Sequence, residues 1–118
     1  YQSTMTRVKR GLATHKRHKK LIARAKGYRL MNGNVFSRVK NALAKAGTNA
    51  YIHRRTKKRD FRALWIVRLN SALRPLGLTY SAFINLAYKA KMEIDRKNLS
   101  NLAISHPAIF AKVVDSVK

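Results

Sequence analysis

The sequence predicts an all-α protein, a long basic N-terminal helical arm followed by a small C-terminal helical domain. Three observations carry that expectation. Apolar residues recur at intervals of three and four, and no segment alternates apolar with polar residues as a half-buried strand would. All four acids, Asp60, Glu93, Asp95 and Asp115, lie at or after residue 60. Residues 1–59 therefore hold 18 Lys and Arg with no acid, whereas residues 60–118 hold 9 against 4. Most of the large apolar side chains fall in the second segment, so the division expected is a basic extension over 1–59 and a globular helical domain over 60–118.

In the arm, Leu21, Ile22 and Ala25 form a short apolar stripe, with Thr14 available as N-cap and Gly27 as a stop. These predict a helix from about Thr14 to Lys26. Lys16, Arg17, Lys19, Lys20, Arg24 and Lys26 fall on the opposite half of its circumference. Asn32-Gly33-Asn34 signals a turn, and a second helix starts near Val35. Val39, Leu43, Ala46 and Ala50 carry its periodicity, which resumes at Phe61, Leu64, Trp65, Leu69, Ala72 and Leu73 before Pro75 and Gly77 end it. Unbroken from Phe36 to Leu73, such a helix spans roughly 57 Å at about 1.5 Å per residue. Gly47 inside it costs about 1 kcal/mol relative to alanine and marks a place to kink.

Three short helices follow. Thr79 caps one carrying Tyr80, Phe83, Ile84 and Ala87, and Asp95 caps one carrying Leu99, Leu102 and Ala103. Pro107 opens a third, carrying Ile109, Phe110, Val113 and Val114. With the stretch from Phe61 to Leu73 they make a four-helix cluster, and Phe61, Trp65, Phe83 and Phe110 are read as its core.

The formal charge of +23 and a pI near 11.6 exceed what solubility needs and imply a polyanionic partner. With no cysteine, disulfides, thiolate metal sites and cysteine nucleophiles are excluded. No apolar run approaches the roughly 18 residues of a membrane span. His15 and His18 sit one turn apart without further ligands, and Glu93 and Asp95 point to different faces, so neither a metal site nor a paired-carboxylate site is expected. Asp60 is expected to pair with Arg59 or Arg62, and the glycines form no phosphate loop. The reading is of a chain with no catalytic activity, no cofactor and no small-molecule substrate. The opening Tyr1-Gln2-Ser3-Thr4 ahead of Met5 fits a cleaved organelle-targeting segment, an expression remnant or a start further upstream.

The run His53-Arg54-Arg55-Thr56-Lys57-Lys58-Arg59-Asp60-Phe61-Arg62 points charge around more than half of a helix, with like charges at destabilising three- and four-residue spacings. Folded RNA, with phosphates on several sides, relieves that repulsion better than water does. The block His15-Lys16-Arg17-His18-Lys19-Lys20 also reads as a localisation signal or a membrane-surface helix, but its stripe lacks the bulky residues of the latter. A DNA-binding rival would take the C-terminal helices as a helix-turn-helix. Tyr28 and Tyr51 lie in basic surroundings and are candidates to stack on bases.

Taken in order, these blocks resemble the bacterial-type large-subunit ribosomal protein twenty family. The likeness rests on Thr6-Arg7-Val8-Lys9-Arg10-Gly11, on His18-Lys19-Lys20 through Ala25-Lys26-Gly27-Tyr28-Arg29, and on Lys58-Arg59-Asp60-Phe61-Arg62-Ala63-Leu64-Trp65-Ile66. It continues in Arg68-Leu69-Asn70, Gly77-Leu78-Thr79-Tyr80-Ser81 and Glu93-Ile94-Asp95-Arg96-Lys97. The sequence departs from the family pattern at Tyr1 to Thr4, at the neutral Asn32-Gly33-Asn34 and at Pro75. The resemblance implies an arm threaded into large-subunit ribosomal RNA, a C-terminal domain docked on the RNA, neighbouring large-subunit ribosomal proteins as partners, and a role in early subunit assembly. Members of the family occur in bacteria, chloroplasts and mitochondria, and the residues ahead of Met5 tilt the expected residence towards the ribosome of an organelle, mitochondrion or chloroplast, and otherwise a bacterial cytoplasm. RNA contact is expected from Arg7, Lys9 and Arg10, and in the first helix from His15, Lys16, Arg17, His18, Lys19, Lys20, Arg24 and Lys26. Beyond it the candidates are Tyr28, Arg29, Arg38, Lys40 and Tyr51, then Arg54, Arg55, Lys57, Lys58, Arg59 and Arg62.

Overall fold

The computed structural model describes residues 7 and 9–118. The expectations placed on Tyr1 to Thr4, Thr6 and Val8 lie outside them. Among the described residues there are five α-helices, α1 (Gly11–Arg24), α2 (Phe36–Leu73), α3 (Tyr80–Lys89), α4 (Arg96–Ser105) and α5 (Pro107–Val117), two 3-10 turns and no strand. The all-α expectation is borne out. The chain divides into two compact units, Tyr1–His53 and Arg54–Lys118, and α2 contributes residues to each.

In the first unit, α1 starts at Gly11, earlier than the sequence predicts, and Thr14 is not its cap. The Thr14 hydroxyl donates to the Arg10 carbonyl at 3.4 Å, the back-bond of a threonine inside a helix. Leu12 and Ala13 favour helix, so the winding continues a turn beyond the polar residue expected to begin it. Gly27, with φ of +89°, supplies the left-handed backbone that takes the chain out of α1. The apolar stripe packs as expected: Ala25 and Val39 are fully buried, with Leu21 and Ile22 half-buried.

The stretch Asn32-Gly33-Asn34 does not form a simple turn; a 3-10 helix occupies Leu30–Gly33. A Cβ at Gly33 would lie 3.0 Å from the Tyr28 carbonyl oxygen, so the close approach of backbone to backbone explains the glycine. Met31 then accepts from the Val35 N–H at 3.0 Å, and Val35 accepts from Val39 at 2.8 Å, which launches α2.

The second unit is built as the spacing predicts from the C-terminal part of α2 and from α3, α4 and α5. Leu69, Leu73, Phe83, Leu99, Phe110 and Val114 form its buried core. The Phe83 and Phe110 rings meet tilted at 53°, centroids 6.3 Å apart. Each start signal works: Thr79 Oγ1 accepts from the Ala82 N–H at 3.4 Å, Asp95 Oδ1 from the Asn98 N–H at 3.0 Å, and Pro107 opens α5. Gly77, with φ of +78°, closes a Schellman-type end in which the Leu78 N–H reaches Leu73 and the Gly77 N–H reaches Arg74. The end of α3 uses the same pattern without glycine. Lys91 takes φ of +53° while the Met92 N–H donates to Ala87 at 2.9 Å.

Two residues read as core, Phe61 and Trp65, stand outside it: Phe61 is 46% exposed and Trp65 half-buried, with Leu64 between them 39% exposed. The other three helices cover α2 from Leu69 onward, so the turn before it keeps its apolar face open although its spacing is that of a core stripe.

Candidate nucleic-acid interface

In the second unit, Arg54, Lys57, Lys58, Phe61, Leu64, Trp65 and Arg68 recur along α2 at intervals of one and three that keep them on one face. On α4, Lys97 and Asn101 are one turn apart and share a face. These two faces line a groove of about 1000 Å³, to which Arg59 and Arg62 also contribute. Its floor is apolar, from Phe61, Leu64 and Trp65. The Phe61 and Trp65 rings lie 6.4 Å apart at 39°, and the Lys57 ammonium sits 6.0 Å from the Phe61 centroid, the outer limit of a cation–π contact.

Seven cations line this groove and no carboxylate does. The expected pairing of Asp60 with Arg59 or Arg62 is not formed, whereas Lys118 pairs with Asp115 at 2.9 Å. The reason is helical geometry, since residues one and two apart diverge and cannot face each other. Positive charge is therefore concentrated without local compensation beside an apolar surface. Water hydrates the cations but leaves them repelling one another and covers the apolar floor at a cost, whereas a strip of phosphates carrying bases suits both.

In the first unit, His15, Lys16, Arg17, Lys19, Lys20 and Arg24 of α1 are all exposed. His18 is not: its ring stacks on Phe36, centroids 3.7 Å apart and planes at 22°, so one face of the imidazole is occupied. Arg7, Lys9, Arg10, Lys26, Arg29, Arg38 and Lys40 are exposed, as are Tyr28 at 37% and Tyr51 at 52%. Among the described residues no three His, Asp or Glu side chains gather as a metal site, and no helix is long and apolar enough to cross a membrane.

A family model described as Ribosomal protein L20 matches residues 7–113. The chain belongs to the ribosomal protein L20 family. It is similar to the large ribosomal subunit protein bL20 of Acidovorax sp. (strain JS42), 56% identical over 114 residues that cover 97% of this chain and 96% of that protein. The bL20 proteins of Verminephrobacter eiseniae, at 56%, and Leptothrix cholodnii, at 55%, are matched over the same 97% of this chain.

For a member of this family, the groove adds residues that sequence reasoning did not single out: Trp65, Arg68, Lys97 and Asn101. Arg68 continues the face of Phe61, Leu64 and Trp65 by one turn, a signal present in the spacing but masked by reading that face as core. Lys97 and Asn101 carry no such signal, because they reach the groove only once α4 packs beside α2.

Proposed function

We propose that the protein is a structural, non-catalytic constituent of the large subunit of a bacterial-type ribosome. There it binds large-subunit ribosomal RNA beside neighbouring large-subunit ribosomal proteins and supports assembly of the subunit. The observation that carries this reading is the set of cations Arg54, Lys57, Lys58, Arg59 and Arg62, exposed along a continuous helix, in a chain of the L20 family. Lys and Arg side chains neutralise phosphates, and the helices supply shape.

In this account residues 1–59 act as an extension that enters RNA and residues 60–118 as a helical domain that docks on it. The phosphate contacts fall to Arg7, Lys9 and Arg10, to Lys16, Arg17, Lys19, Lys20, Arg24 and Lys26, to Arg29, Arg38 and Lys40, and to Arg54, Arg55, Lys57, Lys58, Arg59 and Arg62. His15, His18, Tyr28 and Tyr51 complete the contacting set, with the tyrosines stacking on bases. Support comes from their exposure and from the absence of any acid before Asp60; His18, half-buried on Phe36, keeps only part of its surface for RNA. Within this reading, the ribosome is that of an organelle of bacterial descent or of a bacterium, and cell fractionation separates the two.

Sedimentation of a cell lysate through a sucrose gradient tests the reading. The protein is expected to travel with the large subunit and with assembled ribosomes. Residence at the top of the gradient, or with the small subunit alone, overturns it.

A further inference from the structure

We propose that the groove between α2 and α4 seats an unstacked RNA base, with Trp65 and Phe61 as its stacking surface. The inference rests on the RNA-binding reading above and assigns one site within it. Three features of the groove point the same way. Its floor is aromatic and accessible: Phe61 is 46% exposed and Leu64 39%, in a unit whose other two phenylalanines, Phe83 and Phe110, are buried. Its walls carry Lys57, Arg62, Arg68 and Lys97 with no carboxylate, so the occupant is anionic along its length. Asn101 lines the same groove from α4 and carries an amide that both donates and accepts, the chemistry that reads a base edge.

An A-form duplex cannot use this combination. Its bases are stacked inside, and it offers phosphates and hydroxyls to the cations but nothing to the floor. An unpaired nucleotide offers both, a flat face for the rings and a phosphate on each side for the walls. A run of acidic side chains would satisfy the charges but places no planar face on Trp65 and Phe61, and the length of the basic run favours a polymer of regularly spaced anions, each beside a flat ring.

Trp65 is the sole tryptophan of the chain, so intrinsic fluorescence reports the groove directly. The full chain is titrated with three probes at matched salt: a hairpin from large-subunit ribosomal RNA bearing unpaired nucleotides, a fully paired RNA duplex of equal length, and polyglutamate. Anisotropy of labelled probes reports binding independently. The hairpin is expected to quench Trp65 emission by about half or more, and the duplex and polyglutamate to bind without comparable quenching. Phe61→Leu, at an exposed position, is expected to weaken hairpin binding about fivefold and duplex binding by less than twofold. Asn101→Ala is expected to flatten the preference among bases placed at the unpaired position. Hairpin binding with Trp65 emission unchanged, or equal quenching by duplex or polyglutamate, overturns the base site while leaving RNA binding intact. Failure of the protein to bind any RNA by anisotropy overturns the functional reading itself.

Discussion

The His18 imidazole lies almost flat on the Phe36 ring, with centroids 3.7 Å apart and planes at 22°. The contact ties the middle of α1 to the first residue of α2 inside a unit whose fully buried side chains, among the described residues, are Ala25 and Val39. An aromatic pair of this kind contributes about 0.5–1.5 kcal/mol beyond its buried area. Phe36→Ala is therefore expected to raise amide exchange across Gly11–Arg24 in the RNA-bound protein by up to about tenfold. Unchanged exchange there would show that RNA alone orders α1.

Phe61 and Phe83 make a contrast that separates position in the sequence from position in the fold. Phe83 is fully buried, and Phe83→Ala is expected to cost about 3–5 kcal/mol, enough to unfold a core of this size. Phe61, 46% exposed, loses little on truncation, and Phe61→Ala is expected to cost under about 1 kcal/mol. Thermal unfolding followed by helical circular dichroism checks both values.

Those two residues also mark how much was legible beforehand. Thr79, Asp95 and Pro107 act locally, through one hydrogen bond or one fixed dihedral, and the helices they open stand where the sequence places them. The end of α2 at Leu73 follows in the same way from Pro75 and Gly77. Thr14 misleads because a hydroxyl that caps a helix also fits inside one, bonded back to Arg10. Lys91 ends α3 in a left-handed conformation that glycine would have announced and lysine does not. Phe61 and Leu64 carry core spacing, but periodicity tells which residues share a face and not whether anything covers it. The groove needed α4 beside α2, a juxtaposition that no local pattern encodes.

Salt dependence measures how many of the cations meet phosphates. If about 10 are neutralised, the slope of log affinity against log salt is expected to be on the order of −7 to −9. A slope shallower than about −3 would place most of the basic residues in water.

Free of RNA, the segment before residue 60 carries 18 basic residues and no acid, and its few buried side chains offset little of the roughly 1–2 kcal/mol lost per ordered residue. Amide exchange on the free protein is expected to find protection in α3, α4, α5 and the end of α2, with little between Phe36 and Arg59. RNA is expected to bring protection to that stretch. Strong protection there without RNA would mean that the long helix is intrinsic despite its self-repulsion.

The central claim is that the basic run on α2 binds large-subunit ribosomal RNA, and competition binding of the wild-type chain and a quadruple variant tests it most directly. With Arg54, Arg55, Lys58 and Arg59 all changed to Gln, affinity for ribosomal RNA fragments is expected to fall by orders of magnitude at physiological salt, with the salt slope reduced by about 3 and the core still folded. The wild-type chain is expected to prefer those fragments to duplex DNA at the same salt. Equal affinity of the two proteins for ribosomal RNA, or a wild-type preference for DNA, would contradict the account.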